Sequence, residues 1–597
     1  MYTLGINAAY HDTSACLVRD GEVIAAAEDE RFTHIKHGKR PVPFTAWELP
    51  YHAIDFCLAQ AGITLADIDH VAYSFDPAVM LGERRGDETI TLPLEPSRHA
   101  RPGVGDSPWD PLFLSYVVNA PRMLVSGVPH HLSRRFSTVR NSADAPYRWH
   151  YVEHHMAHEA SAFLAAPLDR CAVLTMDGRG ERATTSYGVF DGRDYRRIKQ
   201  IDLPDSLGLL YERVTQHLGF LHSSDEYKVM ALASYGQPTY ADAFRGMVHD
   251  DREGGYRIDQ ADLTALLGPA RVRGSEFRRE HFDIARSLQM VLEETVLGMT
   301  KWLAAETGER KLAMAGGVAL NCVMNARVRD QGAFDEVWVQ PAAGDAGTAL
   351  GAALWVDWQQ RGKPARTWAM EHAYLGPAFN EREIAEFLDW SKLPYRRLAD
   401  VPEETAALLA QNKIIGWFQG RMEFGPRALG GRSILASPID PSMQQRLNQI
   451  KDREDFRPVA PVIMEERASE WFSAKHPGNW RAPFMLFVFD VKAGREEQIP
   501  AVCHVDGTAR VQTVRREQNP AYYDVLSAFE RRTGVPILVN TSFNTRGEPI
   551  VCTPRDAVEC FWTSPLDALV IGPFLLEKPA RTVEAPRQAT EVAHAGQ

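Results

Sequence analysis

The sequence predicts an α/β fold in which two duplicated sheet halves face a cleft, followed by a second part of different character. Three observations predict it. A strand–turn–strand–turn–strand pattern at the N-terminus recurs weakly at an offset of about 168 residues, which is the mark of a duplicated unit. Amphipathic helical periodicity over residues 284–308 runs directly into a short buried strand. At 597 residues the chain is too long for a single core, and the run Gln359-Gln360-Arg361-Gly362-Lys363-Pro364 interrupts the periodicity, placing a boundary near 358–372.

In order, the first unit reads as strands over Tyr2 to Asn7, Ser14 to Arg19 and Val23 to Ala27, with Asp20-Gly21 as the tight hairpin between the last two. The second repeats this from Cys171 to Asp177, then Thr185 to Phe190 and an Asp191-Gly192 turn. The first strand of each ends in a polar turn, His11-Asp12-Thr13-Ser14 in one and Asp177-Gly178-Arg179-Gly180 in the other, and both turns would converge on a bound phosphate or metal. Between about 80 and 150 the chain is Pro-, Gly- and Arg-rich, as in a surface excursion or lid. A buried strand over Lys311 to Ala315 leads into Gly316-Gly317-Val318-Ala319-Leu320-Asn321, where glycines let the backbone approach a nucleotide. Next come a strand over Glu336 to Gln340, the Asp345 loop and a small-residue helix from Gly347 to Val356. The stretch after Lys578 is rich in Ala, Pro, Thr and Glu and is expected to be disordered.

Composition narrows the function. The 66 basic and 78 acidic residues leave a net charge of −12, which opposes a nucleic-acid partner, since such affinity rests on neutralising phosphates. Seven scattered cysteines without a C-x-x-C pair fit a reducing compartment, and the absence of a basic-apolar leader or a spanning run points to a cytoplasmic protein without a membrane partner.

The sharpest local signal is Glu153-His154-His155-Met156-Ala157-His158. His154 and His158 stand one helical turn apart on one face, close enough for both imidazoles to reach one metal ion. Asp177 and Asp345 are the candidates to complete the ligand set, whereas His155 points elsewhere. Two imidazoles and two carboxylates suit ferrous iron, manganese or zinc nearly equally. From 412 to 550 basic residues sit in Gly- and Pro-rich turns: Arg421, Arg427, Lys451, Arg457, Arg510 and Arg546. Arginine beside glycine offers fork-shaped donors with close backbone access, which suits phosphate oxygens.

Taken together, the run from Leu4 through Arg31-Phe32, His154-His155-x-x-His158, Asp177-Gly178-x-Gly180-Glu181, Ala315-Gly316-Gly317-Val318-Ala319-x-Asn321, Gly425-Pro426-Arg427-Ala428-Leu429-Gly430 and Asn540-Thr541-Ser542-Phe543-Asn544 resemble the nodulation-protein-U type O-carbamoyltransferases. That family includes the carbamoyltransferases of cephamycin, tobramycin and ansamycin biosynthesis. The resemblance spans about residues 1–575. It implies an actin-like ATPase fold (duplicated, RNase-H-like) over 1–360, related to the tRNA threonylcarbamoyl-transfer enzyme, and an α+β YrdC-like domain over 373–577. It implies that the C-terminal domain joins carbamoyl phosphate and ATP, with magnesium, into carbamoyl-adenylate. The N-terminal domain would then pass the carbamoyl group to a hydroxyl of a small natural product, as in antibiotic or toxin biosynthesis.

Carried over to this chain, the resemblance makes His154, His158, Asp177 and Asp345 the metal ligands, with iron the family's metal. His11 would be the general base, since imidazole can take a hydroxyl proton near neutral pH, and Lys36 would join it in the reacting centre. Gly178, Lys228, Gly316, Gly317 and Asn321 would hold the nucleotide of the N-terminal domain. Arg427, Lys451, Arg457, Arg510 and Arg546, with Asn540, Ser542 and Asn544, would hold carbamoyl phosphate and ATP. The segment 80–150 is longer and more Pro- and Arg-rich than the family pattern, so the acceptor stays open. A homodimer is compatible with this reading. A threonylcarbamoyl-type tRNA-modifying enzyme, an actin-like small-molecule kinase and a non-catalytic nucleotide sensor are the competing readings. The net charge opposes the first, and the second has no need of the His154/His158 pair.

Overall fold

A computed structural model describes residues 1–38, 49–81, 110–127, 145–474, 481–545 and 547–578. Arg546, the tail beyond Lys578 and most of the 80–150 segment lie outside them.

The Asp20-Gly21 turn closes a hairpin between β2 (Ser14–Arg19) and β3 (Glu22–Glu28), and β1 (Tyr2–Asn7) pairs antiparallel with β2. Two strands then join in parallel, β4 (His70–Tyr73) on β1 and β5 (Arg148–Tyr151) on β4. The five-stranded sheet has the order β3-β2-β1-β4-β5. β6 (Cys171–Met176), β7 (Ala183–Phe190) and β8 (Tyr195–Asp202) form a second meander. After the small β9–β10 hairpin (Val248–Asp250, Tyr256–Ile258), β11 (Lys311–Ala315) adds in parallel to β6 and β12 (Glu336–Val339) to β11. Read from β8, the second sheet runs β8-β7-β6-β11-β12, the same order strand for strand. The duplication expected from the weak repeat is therefore a duplication of topology.

Alternation along the strands explains the layering. In β2, Ala15 and Leu17 face one core while Cys16 and Val18 face another, as a period of two requires. The first core is covered by helix Tyr51–Ala61, which packs on β2 and β3. Helix Asp110–Ser126, within the segment expected to be a surface excursion, also buries Val117, Ala120 and Leu124 there. Those residues recur at helical spacing, so the segment docks on the first half.

The closing helix of each half lies on the sheet of the other. Helix His154–Phe163, which follows β5, packs on β6, β7 and β11, while helix Ala346–Gln360, which follows β12, packs on β1, β2 and β4. The two helices also touch one another. A Cβ on Gly351 would stand 1.8 Å from the Ala157 carbonyl oxygen, and one on Gly5 would stand 1.9 Å from that of Ala349. Only glycine at both positions allows β1, helix Ala346–Gln360 and helix His154–Phe163 to stack this closely.

The C-terminal part is built on an eight-stranded mixed sheet. Its strands are β13 (Arg396–Arg397), β14 (Ile415–Phe418), β15 (Arg432–Ala436), β16 (Ala460–Met464), β20 (Gln512–Val514), β21 (Ile537–Ser542), β22 (Ala568–Ile571) and β23 (Phe574–Glu577), ordered β13-β23-β22-β14-β15-β21-β16-β20. A second sheet of β17 (Phe472–Ser473), β18 (Val488–Val491) and β19 (Thr508–Arg510) lies beside it. Helix Cys322–Gln331 packs against β18, and Arg329 stacks its guanidinium 4.0 Å from the Phe489 ring. Arg421 was expected among the phosphate-binding basic residues. It instead spends its guanidinium on the carbonyls of Gly376 and Ile24, each 3.1 Å away, and is a staple between the two parts. Among the described residues no helix is long and apolar enough to cross a membrane.

Candidate functional site

Turns at the carboxyl ends of parallel-paired strands of both sheets meet at one place. Asp177 follows β6, Gly316-Gly317 follows β11, Asp345 lies in the loop after β12, and His11 lies in the turn after β1. Their meeting depends on close backbone approach. Gly316 has φ +90°, and a Cβ there would lie 2.1 Å from the Met176 carbonyl oxygen. Gly317 N–H donates to Asp177 Oδ1 at 2.6 Å, which leaves Oδ2 turned to His154 Nε2 at 3.8 Å.

His154 and His158 both present Nε2 to Asp345 Oδ1, at 3.5 and 3.7 Å. One donor atom from each of His154, His158, Asp177 and Asp345 lies within 4.8 Å of the other three, and all four residues are buried. Two donors on one ion at about 2.1 Å stand about 3–3.5 Å apart, so the spacing suits a metal after a small contraction. Orphaned atoms point the same way. His154 Nε2, His158 Nε2 and Asp345 Oδ1 are buried without a hydrogen-bond partner among the described residues, a costly state that coordination would relieve. Burial alone would push His154 down, but the Asp345 and Asp177 carboxylates raise it well above the ordinary imidazole value. Burial would likewise raise Asp345, yet the His11 and His154 imidazoles hold it at about 2.

His155 turns away to Thr175 and Ser186, with Nδ1 at 3.1 and 3.2 Å from their hydroxyls. Glu181, which sequence reasoning did not single out, accepts from the His154 backbone N–H at 3.0 Å and from Asp76 N–H at 2.6 Å. It thereby seats the first turn of the histidine helix, where backbone N–H groups lack helical partners. Burial pushes its carboxyl up to about 7.

The candidate base His11 directs Nε2 toward Asp345 Oδ2 at 3.7 Å and Nδ1 toward Asp12 Oδ2 at 2.9 Å. Asp12 in turn meets His37 Nδ1 at 2.8 Å through its other oxygen. Lys36 precedes His37 in the short helix Lys36–Gly38. It also lies near enough to Lys451 that its charge, after burial and the charges of Arg453 and Arg457, helps push that ammonium well below its ordinary value. Asn321 is the N-cap of helix Cys322–Gln331, its Oδ1 accepting from Met324 N–H at 3.0 Å, and it also bonds Gln289. Gly178 bonds Ser206 Oγ through its carbonyl at 2.8 Å. Lys228 pairs with Asp225 and Glu454 at 3.2 and 3.3 Å.

A second cluster forms in the C-terminal part. The turn carrying Arg427 is held by the buried carboxylate of Glu423, which accepts from Leu429 and Gly431 N–H at 2.7 and 2.6 Å. Lys451 Nζ donates to Ser542 Oγ at 3.0 Å and to Asn544 Oδ1 at 2.5 Å. Asn540 braces the Arg427 turn by donating to the Ala428 carbonyl at 3.1 Å. Around them stand Arg427, Arg457, Arg510 and Arg453, the last absent from the residues expected. Burial and then the charges of Arg510 and Arg457 push Arg427 down to about 9, and burial with Arg457 and Arg510 does the same to Arg453. A guanidinium keeps its proton in proteins, so these groups remain charged, and a bound anion would offset both their desolvation, the larger cause, and their mutual repulsion. Arg427 Nε, Arg453 Nη2 and Arg510 Nε are buried donors with no partner among the described residues.

Residues 2–83 and 139–354 match the family model described as Carbamoyltransferase N-terminus, and residues 406–578 match Carbamoyltransferase C-terminus. An uncharacterized protein of Synechocystis sp., sll1178, is 38% identical over 97% of this chain and 97% of its own. Nodulation protein NolNO of Sinorhizobium fredii is 39% identical over 97% of this chain and 80% of its own. Nodulation protein NolO of Bradyrhizobium diazoefficiens is 42% identical over 72% of this chain and 79% of its own. Among solved structures, HypF of T. kodakarensis overlaps 61% of this chain and 48% of its own at 14% identity and a TM-score of 0.32, too loosely to bear on the site.

Proposed function

The chain belongs to the carbamoyltransferase family and is a carbamoyltransferase, and from that premise we propose that it is an ATP-dependent O-carbamoyltransferase with two reaction sites. The C-terminal part, over 373–577, forms carbamoyl-adenylate from carbamoyl phosphate and MgATP in a YrdC-like fold. Pyrophosphate and inorganic phosphate leave, and one water is consumed. The N-terminal part, over 1–360, is an actin-like fold that transfers the carbamoyl group to a hydroxyl of a small natural product and releases AMP.

The observation that carries this reading is the set of crowded, buried and unpartnered arginine donors around Lys451, which suits an anion with several phosphate oxygens. Adenylate formation supplies AMP as a leaving group, which a hydroxyl can displace more readily than phosphate. At the transfer site His154, His158, Asp177 and Asp345 would hold a divalent metal, iron in our reading, which supplies Lewis-acid stabilisation of developing negative charge. His11 takes the acceptor proton at Nε2, while Asp12 at Nδ1 holds the imidazole in the required tautomer. Gly316 and Gly317, having no side chains, leave room for the adenylate to approach the backbone of their turn.

The test is incubation with carbamoyl phosphate, ATP and magnesium without acceptor, followed by mass spectrometry. Carbamoyl-adenylate with stoichiometric pyrophosphate supports the reading, and ADP without adenylate overturns it in favour of a kinase.

A further inference from the structure

The basic loop at 451–457 belongs to the C-terminal part by sequence, yet the N-terminal part holds it at three points. The Arg457 guanidinium lies over the Tyr227 ring, 4.7 Å from its centroid. Lys228 Nζ meets Glu454 Oε1 at 3.3 Å. Tyr235 donates its hydroxyl to the Phe456 carbonyl at 3.3 Å, and the Phe456 ring stands edge-on to Phe277 at 5.6 Å. Tyr227 and Lys228 lie in one helix, Glu226–Ala233, which packs on the long helix Arg279–Thr307 of the second half.

Resting on the reading of Arg427, Arg453, Arg457 and Arg510 as an anion site, we infer that this site is composite: Tyr227, from the N-terminal part, is a positioning residue whose ring holds Arg457 in place for a phosphoanhydride. Physical reasons support it. Four guanidinium groups crowded together repel one another and would splay apart without restraint, because long arginine side chains lose rotamer freedom when ordered. Among the described residues Arg457 pairs with the Glu454 carboxylate, whose Oε2 stands 3.8 Å away, and Glu454 is shared with Lys228 at the shorter distance of 3.3 Å, so the carboxylate restrains Arg457 only weakly. An aromatic face restrains a guanidinium without neutralising it, so its N–H donors stay available for phosphate oxygens.

Inorganic pyrophosphate is the probe, and its dissociation constant is measured by calorimetry on the full chain with bound metal quantified in parallel. Tyr227→Leu is expected to weaken pyrophosphate binding about tenfold, the scale of a partly desolvated cation–π contact. Tyr227→Phe, which keeps the ring, should restore it to within about threefold. In an Arg457→Ala background, Tyr227→Leu should add less than about twofold, because both act through one contact. Metal stoichiometry should be equal in all variants. Unchanged pyrophosphate binding in Tyr227→Leu overturns the inference and leaves the donor site standing. Equal losses in Tyr227→Phe and Tyr227→Leu, or a loss of metal in step with binding, overturn it as well. Failure of the unsubstituted protein to bind pyrophosphate overturns both the donor site and this inference.

Discussion

Asp345 and His11 face one another at 3.7 Å across the seam between the two halves. A buried chain of hydrogen bonds sets this juxtaposition. Thr348 Oγ1 donates to Ser74 Oγ at 2.9 Å, Ser74 Oγ to Asn7 Oδ1 at 3.0 Å, and Asn7 Nδ2 to the carbonyls of His11 and Asp12, each at 3.0 Å. The candidate base is thus tied to the helix that begins beside Asp345. His11→Asn should slow carbamoyl transfer by about 10²–10⁴, the usual worth of general-base catalysis. Acceptor-free pyrophosphate release should stay within about twofold, and single-turnover assays of the two half-reactions separate them.

Removing one imidazole should empty the four-donor cluster. His158→Ala leaves His154 and two carboxylates, of which Asp177 also accepts from Gly317 N–H, and bound divalent metal should fall to less than about a tenth of the stoichiometric amount. Elemental analysis of the purified variant reads this directly.

The C-terminal cluster should fail independently. Arg457→Ala is expected to reduce adenylate formation at least about a hundredfold, since it removes a charged, bidentate-capable donor. Metal content should be unaffected. Mass-spectrometric detection of adenylate and elemental analysis on one sample report both.

If crowding of the guanidinium groups stores repulsion, an anion should stabilise the fold. Pyrophosphate at a hundred times its dissociation constant is expected to contribute about 2.7 kcal/mol by mass action. The gain should be read as a rise in Tm, and it should shrink markedly in Arg453→Ala.

The joint between the two parts has its own buried pair. Arg31 donates to Glu28 Oε1 and to the Gly425 carbonyl, both at 2.9 Å, and meets Glu30 at 3.0 Å. Arg31→Met would leave two carboxylates uncompensated at a place where Glu28 also accepts from Gly425 N–H at 2.9 Å. A loss of about 3–5 kcal/mol in unfolding free energy is expected, measured by denaturant titration.

Local signals carried the sequence reading furthest. Asp20-Gly21 marked a hairpin that is present between β2 and β3, and the strand expected over Lys311 to Ala315 has those limits. The i, i+4 spacing of His154 and His158 was legible because both sit in one helix, and Asp177 and Asp345 because each ends a strand-to-loop transition. What remained hidden depends on pairing far along the chain. The eight-stranded sheet interleaves strands from 396 to 577, which no periodicity orders. Arg421 and Arg453 look alike in sequence, yet one is consumed by backbone carbonyls and the other joins the anion cluster. Lys228 was legible as a basic residue, but its pairing with Glu454, over two hundred positions along the chain, was not. The roles of Glu181, which stood in a quoted motif, and of Tyr227, which stood in none, carried no signal, since a cap and a stacking platform are defined by what they touch.

The glycine contact between Gly351 and Ala157 joins the helix bearing both histidines to the helix that begins beside Asp345. Three of the four candidate metal donors therefore belong to two helices whose backbones touch, and a side chain at position 351 would push those donors apart without itself being near any of them.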